Sequence, residues 1–342
     1  MGHASTAPSL SIAEAATAFV TEDARFAAVR GEAPRLTRVV ETDAHEGPVY
    51  VADEDALYFT TLPATRSVPA PGPPLAKVKR IALDGERFPL EPDRVSTVRE
   101  DANVANGMTL DLEGRLVACE QGTRSQHAAV TRFDLDSCRI ATLADGWRGL
   151  PLNSPNDVII KGDGTLWFTD PSYGHLQGFR PPPALGDYVY RLDPANGGLS
   201  VVADSFDKPN GLAFSPDESI LYVGDSGANQ EPGSYYPSRP HHIRAFDVVE
   251  GRRLEKERLF CVTNPGFPDG IKVDAAGRVY ASSFSGVQVF DPEGALLGEI
   301  RLPGAVNFTF GGPDRNVLFI TADDAVWAAV LNATAPTRLR GA

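Results

Sequence analysis

Six segments of this chain share one layout, and this repeat constrains the fold more than any other feature. Each segment carries a polar residue at or near its start, usually followed by a small one. An apolar strand, a turn rich in Asp and Gly, and a second strand that runs back come next. This pattern predicts β-hairpins, because Asp and Gly adopt the tight turns that join antiparallel strands. The segments are 45–61, 105–120, 154–170, 208–225, 267–283 and 306–322.

The spacing of the hairpins predicts how they assemble. Their leading polar residues, called anchor residues below, follow one another at intervals of 60, 50, 54, 59 and 38 positions. A repeat of about 50 residues with four short strands is typical of a β-propeller blade. The sequence therefore predicts an all-β fold, a six-bladed β-propeller with short N-terminal helices. The anchor residues are Glu46, Asn106, Asn156, Asn210, Asp269 and Asn307.

The two ends of the chain predict the domain organisation. Residues 9–30 are rich in Ala, with apolar residues near helical spacing, which predicts one or two short helices packed outside the ring. The residues after Asn307 are too few for another blade, so 35–42 should add an outer strand and close the ring. We expect a helical extension over 1–34, one propeller domain over 35–335 and a tail over 336–342.

Composition disfavours several classes of function. The chain of 342 residues carries a net charge of −13, which argues against nucleic-acid or anionic-membrane partners. It has neither a long apolar stretch nor the segments of a signal peptide, so we expect a cytoplasmic protein. Three cysteines without CxxC pairs disfavour a disulfide framework or a zinc knuckle. The oligomeric state stays open.

Two long segments interrupt the repeat. Residues 171–187 and 226–242 each follow a second strand and are rich in Pro, Gly, Tyr and His. Loops of this length are uncommon unless they have a role. We expect them to cover one face of the ring, and the alternative is that they are surface loops without a role.

Propeller topology predicts where the polar residues meet. The first strand of each blade lines the central channel, so the anchor residues should lie together at one opening of that channel. The second strand returns to the same face, so the residues just after it should lie there too. They include Glu120, Asp170, Ser172, Tyr173, His175, Asp225, Ser226 and Phe284.

The anchor residues combine two carboxylates with four amides. Two like charges close together are costly unless one is protonated or a cation lies between them. Asn adds neutral carbonyl oxygens, and an all-oxygen set suits Ca²⁺, Mg²⁺ or Mn²⁺. Neither an HExxH motif nor a Cys/His cluster indicates a typical zinc site. The alternative is that these residues cap turns with their own backbone, which suits one position better than six in register.

The most distinctive motif is LNSPNDVIIKGDGTLWFTDPSYG (152–174). It is accompanied by HEGPV (45–49), NGMTLDLEGRLVACEQGTR (106–124), KPNGLAFSPD (208–217), FPDGIKVDAAGRVY (267–280) and FGGPDRNVLFITA (310–322). In order and spacing these motifs resemble the gluconolactonase/regucalcin (SMP-30/gluconolactonase/LRE-like) family of six-bladed propellers, over roughly residues 40 to 330.

The resemblance implies one divalent cation in the channel, held by a Glu, two Asn and an Asp. Matched to this sequence, these ligands are Glu46, Asn156, Asn210 and Asp269. Ca²⁺ is the first expectation, and Mg²⁺, Mn²⁺, Zn²⁺ or Fe²⁺ could occupy the same kind of site. The resemblance leaves Asn106 and Asn307 as channel lining or substrate contacts.

The resemblance also implies a metal-dependent lactone hydrolase that opens a sugar-acid lactone. The cation would polarise the ester carbonyl, and Asp269 would act as the general base that activates water. Glu120, Tyr173 and His175 lie where they could bind substrate hydroxyls. His175 could also move a proton, although a plain loop residue is the stronger expectation for it.

Several neighbouring residues are expected to be structural. His45 precedes Glu46 and should face away from the channel. Asp157 should hydrogen-bond backbone between blades. The aromatic residues Trp167, Tyr222 and Tyr280 should pack between blades.

Other functions stay open. Related propellers place a similar cation site under organophosphates or aromatic lactones, which would make the chain a phosphotriesterase or aryl-lactonase. Those enzymes use extra histidines and a second cation that do not map onto this sequence. A strictosidine-synthase-like condensing enzyme would need a different catalytic carboxylate and no metal. A non-catalytic ligand-binding propeller would lack the converging carboxylates.

Overall fold

The computed structural model describes residues 17–65, 74–83, 85 and 87–337. Six antiparallel sheets, each with four propeller strands, form a six-bladed β-propeller. The first strand of each blade touches the first strand of the next, and blade 6 meets blade 1 in the same way. The hairpin repeat therefore predicts the architecture correctly.

The strands are given blade by blade, from the channel outward. Blade 1 contains Ala44–Val51, Ala56–Thr61, Val78–Ala82 and Val95–Arg99. Blade 2 contains Ala105–Leu110, Leu116–Glu120, Ala129–Phe133 and Ile140–Ala144. Blade 3 contains Val158–Ile160, Leu166–Asp170, Tyr188–Asp193 and Gly198–Ala203.

Blade 4 contains Pro209–Phe214, Ile220–Asp225, His242–Val249 and Arg253–Val262. Blade 5 contains Ile271–Val273, Val279–Ser282, Gly286–Phe290 and Leu296–Arg301, with Phe19–Thr21 added outside. Blade 6 contains Asn307–Gly311, Val317–Thr321, Ala325–Val330 and Arg35–Glu41.

The remaining elements are short. Two ribbons pair Ala64–Thr65 with Pro74–Leu75 and Gly146–Trp147 with Leu150–Pro151. Among the described residues, α-helix occurs at 17–18, Ala27–Arg30 and Tyr173–Leu176, and 3₁₀ turns occur at Ala24–Phe26, Ala52–Glu54 and Pro92–Arg94. Within the described ranges, none of the helices has the length and apolar character needed to cross a bilayer.

Blade 6 takes its outer strand from the other end of the chain. Arg35–Glu41 pairs antiparallel with Ala325–Val330, the third strand of that blade. Strands from both sides of the sequence thus share one sheet, which joins the two ends of the ring. The pairing also covers a strand edge that would otherwise present unpaired backbone groups.

The N-terminal segment differs from the helical prediction over 9–30. Residues 9–16 lie outside the described part of the chain. Phe19–Thr21 is a strand that pairs with the outer strand of blade 5, whereas residues 17–18 and Ala27–Arg30 are α-helical. The helical prediction is wrong at Phe19 and Val20 because an open sheet edge offers their backbone partners that local spacing cannot reveal. Phe26 and Val29 are fully buried in the core beside blades 5 and 6.

The apolar core lies between the faces of neighbouring blades. Trp167 of blade 3 meets Phe214 of blade 4 edge-on at 5.4 Å, and Tyr280 of blade 5 meets Phe310 of blade 6 in the same way. Tyr222 belongs to the cluster between blades 4 and 5. All three aromatic residues therefore pack between blades, as the sequence predicts.

Candidate active site

The six anchor residues lie near the starts of the innermost strands, and contacts connect them around the ring. Gly107 N donates to Asn156 O at 2.7 Å, and Gly211 N donates to Asp269 O at 3.0 Å. Asn307 Nδ2 donates to Glu46 Oε2 at 2.7 Å. The structure therefore brings the predicted site residues of separate blades to one place.

Glycine after an anchor residue allows this close approach. A Cβ on Gly270 would lie 2.6 Å from Cγ of Asn307, and a Cβ on Gly211 would lie 2.9 Å from Ile271 N. These distances are too short for any side chain, which explains the small residue that follows most anchors. Asp157 takes that place in blade 3. Its carboxylate accepts from Val158 N at 2.8 Å and lies against Gly107 of the preceding blade. The structure thus places it as predicted.

Glu46 and Asp269 form a pair of carboxyl groups in hydrogen-bond contact. Burial raises the pKa of Glu46, and the neighbouring Asp269 charge raises it further. Burial also raises the pKa of Asp269, against hydrogen bonds from Asn210 and Glu46 that lower it. Two such groups cannot both ionise cheaply unless a proton or a cation lies between them. This pair has the electrostatic character expected beside a cation.

Two amide oxygens of the ring lack a partner. Asn106 Oδ1 and Asn156 Oδ1 are buried, and neither accepts a hydrogen bond within the described part of the chain. A buried acceptor left unpaired costs about 1–3 kcal/mol. Free carbonyl oxygens beside two carboxyl groups suit a hard cation such as Ca²⁺. The residues present therefore fit a divalent cation held by Glu46, Asn156, Asn210 and Asp269.

The donor set depends on these amides. Among the residues that the structure describes, no three His, Cys, Asp or Glu side chains gather as a metal site would require. A cation in the channel would thus rely on Asn oxygens for part of its coordination. This chemistry favours Ca²⁺ or Mg²⁺ over metals that prefer nitrogen and sulfur ligands.

Lys272 is a residue of the channel that the sequence interpretation missed. Its Nζ donates to Asn307 Oδ1 at 3.3 Å and to Ile271 O at 3.0 Å. Its charge also lowers the pKa of Asp157, which burial raises. The sequence feature that could have identified it is a lysine between two apolar residues in the innermost strand Ile271–Val273. Lys272 fixes the orientation of the Asn307 amide, whose other end contacts Glu46.

Three acidic residues that were expected at the channel opening instead form hydrogen bonds inside the protein. Asp170 accepts from the backbone N–H groups of Asn153 and Ser154, at 2.9 and 2.8 Å. Asp225 accepts in the same way from Lys208 and Asp207, at 3.0 and 3.2 Å. Each carboxylate thus holds the loop that leads into the anchor residue of its own blade, Asn156 or Asn210.

Glu120 is the third such acid. Its carboxylate pairs with Arg99 at 2.9 Å and accepts from Asn103 Nδ2 at 3.1 Å and from Thr131 at 2.8 Å. These donors engage both oxygens, so the geometry favours a structural role over the substrate contact predicted for Glu120. Its main partner, Arg99, comes from the outer strand of the preceding blade.

The short helix Tyr173–Leu176 separates two predicted substrate contacts. Tyr173 is buried, and its hydroxyl donates to Ser226 O at 3.2 Å. Burial raises its pKa, and the nearby charges of Asp269 and Asp225 raise it further. His175 lies on the exposed side of the same helix. The structure therefore brings Tyr173 to the site and leaves His175 facing solvent.

Cationic side chains hold both long insertions in place. The Arg180 side chain is 5% exposed and donates to the carbonyls of Thr123, Leu152 and Asn153 at 2.8 to 2.9 Å. Lys208 Nζ contacts Asp187 at 2.7 Å and Asp207 at 3.1 Å, and Arg239 also reaches Asp207 at 3.0 Å. Residues 171–187 and 226–242 are thus fixed to the same loops that carry the anchor residues.

A cavity of about 270 Å³ opens beside Asp269. Its size is near the lower end of ligand pockets, which run from about 300 to 1,000 Å³. Asp323 lines the far side and pairs with His45 Nδ1 at 2.7 Å, so His45 links blades 1 and 6. A larger cavity of about 460 Å³ lies elsewhere, at the outer edge of blade 3 around Trp147 and Arg148. The residues lining the cavity beside Asp269 are Phe267, Asp269, Ser282, Ser283, Phe284, Gly304, Ala305, Val306 and Asp323.

Comparison with known proteins supports this fold. Residues 44–324 match the model of the SMP-30/Gluconolactonase/LRE-like region. The chain is 32% identical over 286 residues to a gluconolactonase of Zymomonas mobilis, an alignment that covers 82% of this chain and 76% of the relative.

Two solved structures extend the comparison. A gluconolactonase from Xanthomonas campestris superimposes with a TM-score of 0.74 at 35% identity, covering 92% of this chain and 94% of that one. A calcium-binding protein, regucalcin from Agrobacterium tumefaciens, superimposes with a TM-score of 0.63 at 14% identity, covering 87% and 95%. At that identity the second structure supports the fold alone.

Proposed function

Because this chain belongs to the SMP-30/gluconolactonase/LRE-like family of hydrolases, we propose that it hydrolyses a sugar-acid lactone at the channel opening formed by Glu46 and Asp269. The observation that supports this proposal most directly is the pair of carboxyl groups of Glu46 and Asp269. The buried carboxyl group of Glu46 and the partly buried one of Asp269 lie in hydrogen-bond contact, with a small cavity beside Asp269. Gluconolactone is the first substrate to test, since it is the lactone that gives the Zymomonas and Xanthomonas relatives their names.

Asp269 is the proposed general base. It is only partly buried and lines the cavity, whereas Glu46 is 3% exposed. The raised pKa of Asp269 brings its basicity toward neutral pH, which favours proton transfer from an attacking water. The Asn210 side chain donates to the Asp269 carboxylate and keeps it oriented. Glu46 is turned inward, held by Asn307 Nδ2 at 2.7 Å and Gly47 N at 3.0 Å.

The proposed metal ligands are Glu46, Asn156, Asn210 and Asp269. When bound there, a divalent cation would act as a Lewis acid toward the lactone carbonyl. The unpaired Oδ1 of Asn156 is an available ligand atom, and Asn106 Oδ1 is free to accept a substrate hydroxyl. Tyr173 and Asn307 remain proposed substrate contacts, and His175 would need to turn from solvent to become one.

The proposal is tested by titrating the acid released from D-glucono-1,5-lactone. Asp269→Asn should lower kcat by about a hundredfold or more, as expected for loss of a general base. Asp314→Asn, on an exposed turn, is the matched control and should match the wild type. An aryl phosphotriester serves as the competing substrate. A folded Asp269→Asn protein with full turnover would contradict the assignment, and hydrolysis of the phosphotriester alone would replace the proposed substrate class.

A further inference from the structure

Phe284 is an exposed aromatic residue at the rim of the cavity beside Asp269. It lies two residues after the second strand of blade 5 and is 47% exposed, although large apolar side chains usually avoid water. Because Phe284 lines the cavity, a molecule lying against Asp269 would also touch this ring.

The position of the Phe284 ring is fixed by its neighbours. Phe267 meets it edge-on with ring centroids 5.3 Å apart, and Tyr235 meets it at 5.1 Å. A Cβ on Gly266 would lie 2.7 Å from the Phe284 ring, so glycine makes room for the ring. Tyr235 comes from the insertion 226–242, which gives that loop a direct contact with the cavity wall.

The polar side chains of this wall are already engaged. Ser282 Oγ accepts from the backbone N–H groups of Asp269 and Gly270, each at 3.0 Å. Ser283 Oγ donates to Gly286 O at 3.1 Å, and Asp323 pairs with His45. Sugar hydroxyls would therefore find few free partners here. Phe267, Phe284, Ala305 and Val306 instead present carbon surface.

We propose that Phe284, supported by Phe267 and Tyr235, forms an aromatic subsite that binds an apolar, ring-shaped substituent of the lactone substrate. The subsite deepens the proposed function and rests on it, since Asp269 places the reacting ester beside the ring. Aromatic rings pair edge-on or offset with other rings, which suits a flat substituent. The substrate class is then a sugar-acid lactone that carries an apolar ring attached or fused to the ester ring.

The test compares two six-membered lactones, dihydrocoumarin with a fused aromatic ring and δ-valerolactone without one. Phe284→Ala should lower kcat/KM for dihydrocoumarin about tenfold, equivalent to about 1.4 kcal/mol, and leave δ-valerolactone within about twofold. Phe284→Tyr keeps a ring and should retain the preference. Tyr235→Ala should act in the same direction as Phe284→Ala. Tyr236→Ala is its matched control, because Tyr236 lies in the same loop but packs on Arg239.

A binding experiment distinguishes failure of the aromatic subsite from failure of the proposed lactone hydrolysis. The matching lactams, 3,4-dihydroquinolin-2-one and piperidin-2-one, keep the ring shapes but lack the reactive ester, and calorimetry measures their affinity. Wild-type protein should bind the aromatic lactam more tightly, and Phe284→Ala should remove that preference. Equal losses for both lactones, or no loss for either, would overturn the subsite. If neither lactone is hydrolysed but Phe284 still decides lactam binding, the proposed function fails and the subsite stands.

Discussion

Asn307 Nδ2 donates to Glu46 Oε2 at 2.7 Å, a contact between residues 261 positions apart that joins the last blade to the first. The other end of the same amide accepts from Phe308 N at 2.8 Å and from Lys272 Nζ at 3.3 Å. These contacts set which end of the amide faces the carboxyl group. Asn307 thus connects closure of the ring to the geometry of the proposed metal site.

Asn307→Leu removes the donor and leaves Glu46 without a side chain to orient it. Loss of a partner that orients a metal ligand typically lowers the affinity for the metal by about 10- to 100-fold. We therefore expect Ca²⁺ binding to weaken by at least about tenfold, measured by calorimetric titration of chelator-treated protein. Asn196→Ala, on an exposed turn, is the control. Equal affinity in Asn307→Leu and wild type would contradict this positioning role.

Arg180→Met should release the insertion 171–187. The substitution leaves the carbonyls of Thr123, Leu152 and Asn153 without their buried donor, and we expect a loss of about 3 kcal/mol in the free energy of unfolding. Limited proteolysis should then cut within 171–187. Arg124→Met is the matched control, since exposed Arg124 makes only weaker contacts, at 3.2 and 3.3 Å, with Gly178 O of the same loop. Identical protease resistance in the two variants would count against the role of Arg180.

Gly270→Ala tests the close packing of the innermost strands. The new Cβ would lie 2.6 Å from Cγ of Asn307, so blades 5 and 6 must separate. Overpacking of this kind typically costs about 1–3 kcal/mol, measurable by urea denaturation. Gly224→Ala is the comparison, because its Cβ would meet only side-chain atoms of Ile271 and Pro268, at 3.2 Å or more. A Gly270→Ala protein as stable as Gly224→Ala would show that the strands tolerate separation.

Asp170 predicts a pH dependence of stability. Burial raises its pKa to about 7, against the N–H donors of Asn153 and Ser154 that lower it. The unfolded value is near 3.8, so the folded protein binds more protons between these two values. Stability is therefore lost as pH rises through this window, at up to about 1.4 kcal/mol per pH unit.

Asp170→Asn should remove this part of the slope. Free energies of unfolding at about pH 5, 6, 7 and 8 should fall less steeply in the variant than in the wild type, whatever their absolute values. Asp314→Asn, on an exposed turn, should leave the wild-type slope unchanged. Parallel curves for Asp170→Asn and wild type would contradict a buried carboxyl that gains protons on folding.

The blades could be predicted from sequence because each hairpin carries its own turn chemistry. Asp111 accepts from Glu113 N and Arg115 N, and Asp274 repeats the arrangement with Ala276 N and Arg278 N. Such signals are local and recur at a readable period. Convergence of the anchor residues then follows from topology, since the first strands all line one channel.

Other features depend on contacts that no local pattern records. The strand Phe19–Thr21 exists because blade 5 has an edge to pair with, far along the chain. Glu120 is neutralised by Arg99 of the preceding blade, and Lys272 reaches Asn307 of the next one. In each case, the spacing in the sequence predicts the strand or loop on which a residue lies. Its partner lies on another blade and is known only from the folded structure.

The central claim is that Glu46 and Asp269 hold a cation that lactone hydrolysis requires. The most direct test adds Ca²⁺ stepwise to chelator-treated protein while the heat of binding and the rate of gluconolactone hydrolysis are both recorded. The account predicts a nearly inactive starting protein whose rate rises in proportion to occupancy and levels off at one cation per chain. Full hydrolysis before any cation is added, or a rate that ignores occupancy, would contradict it.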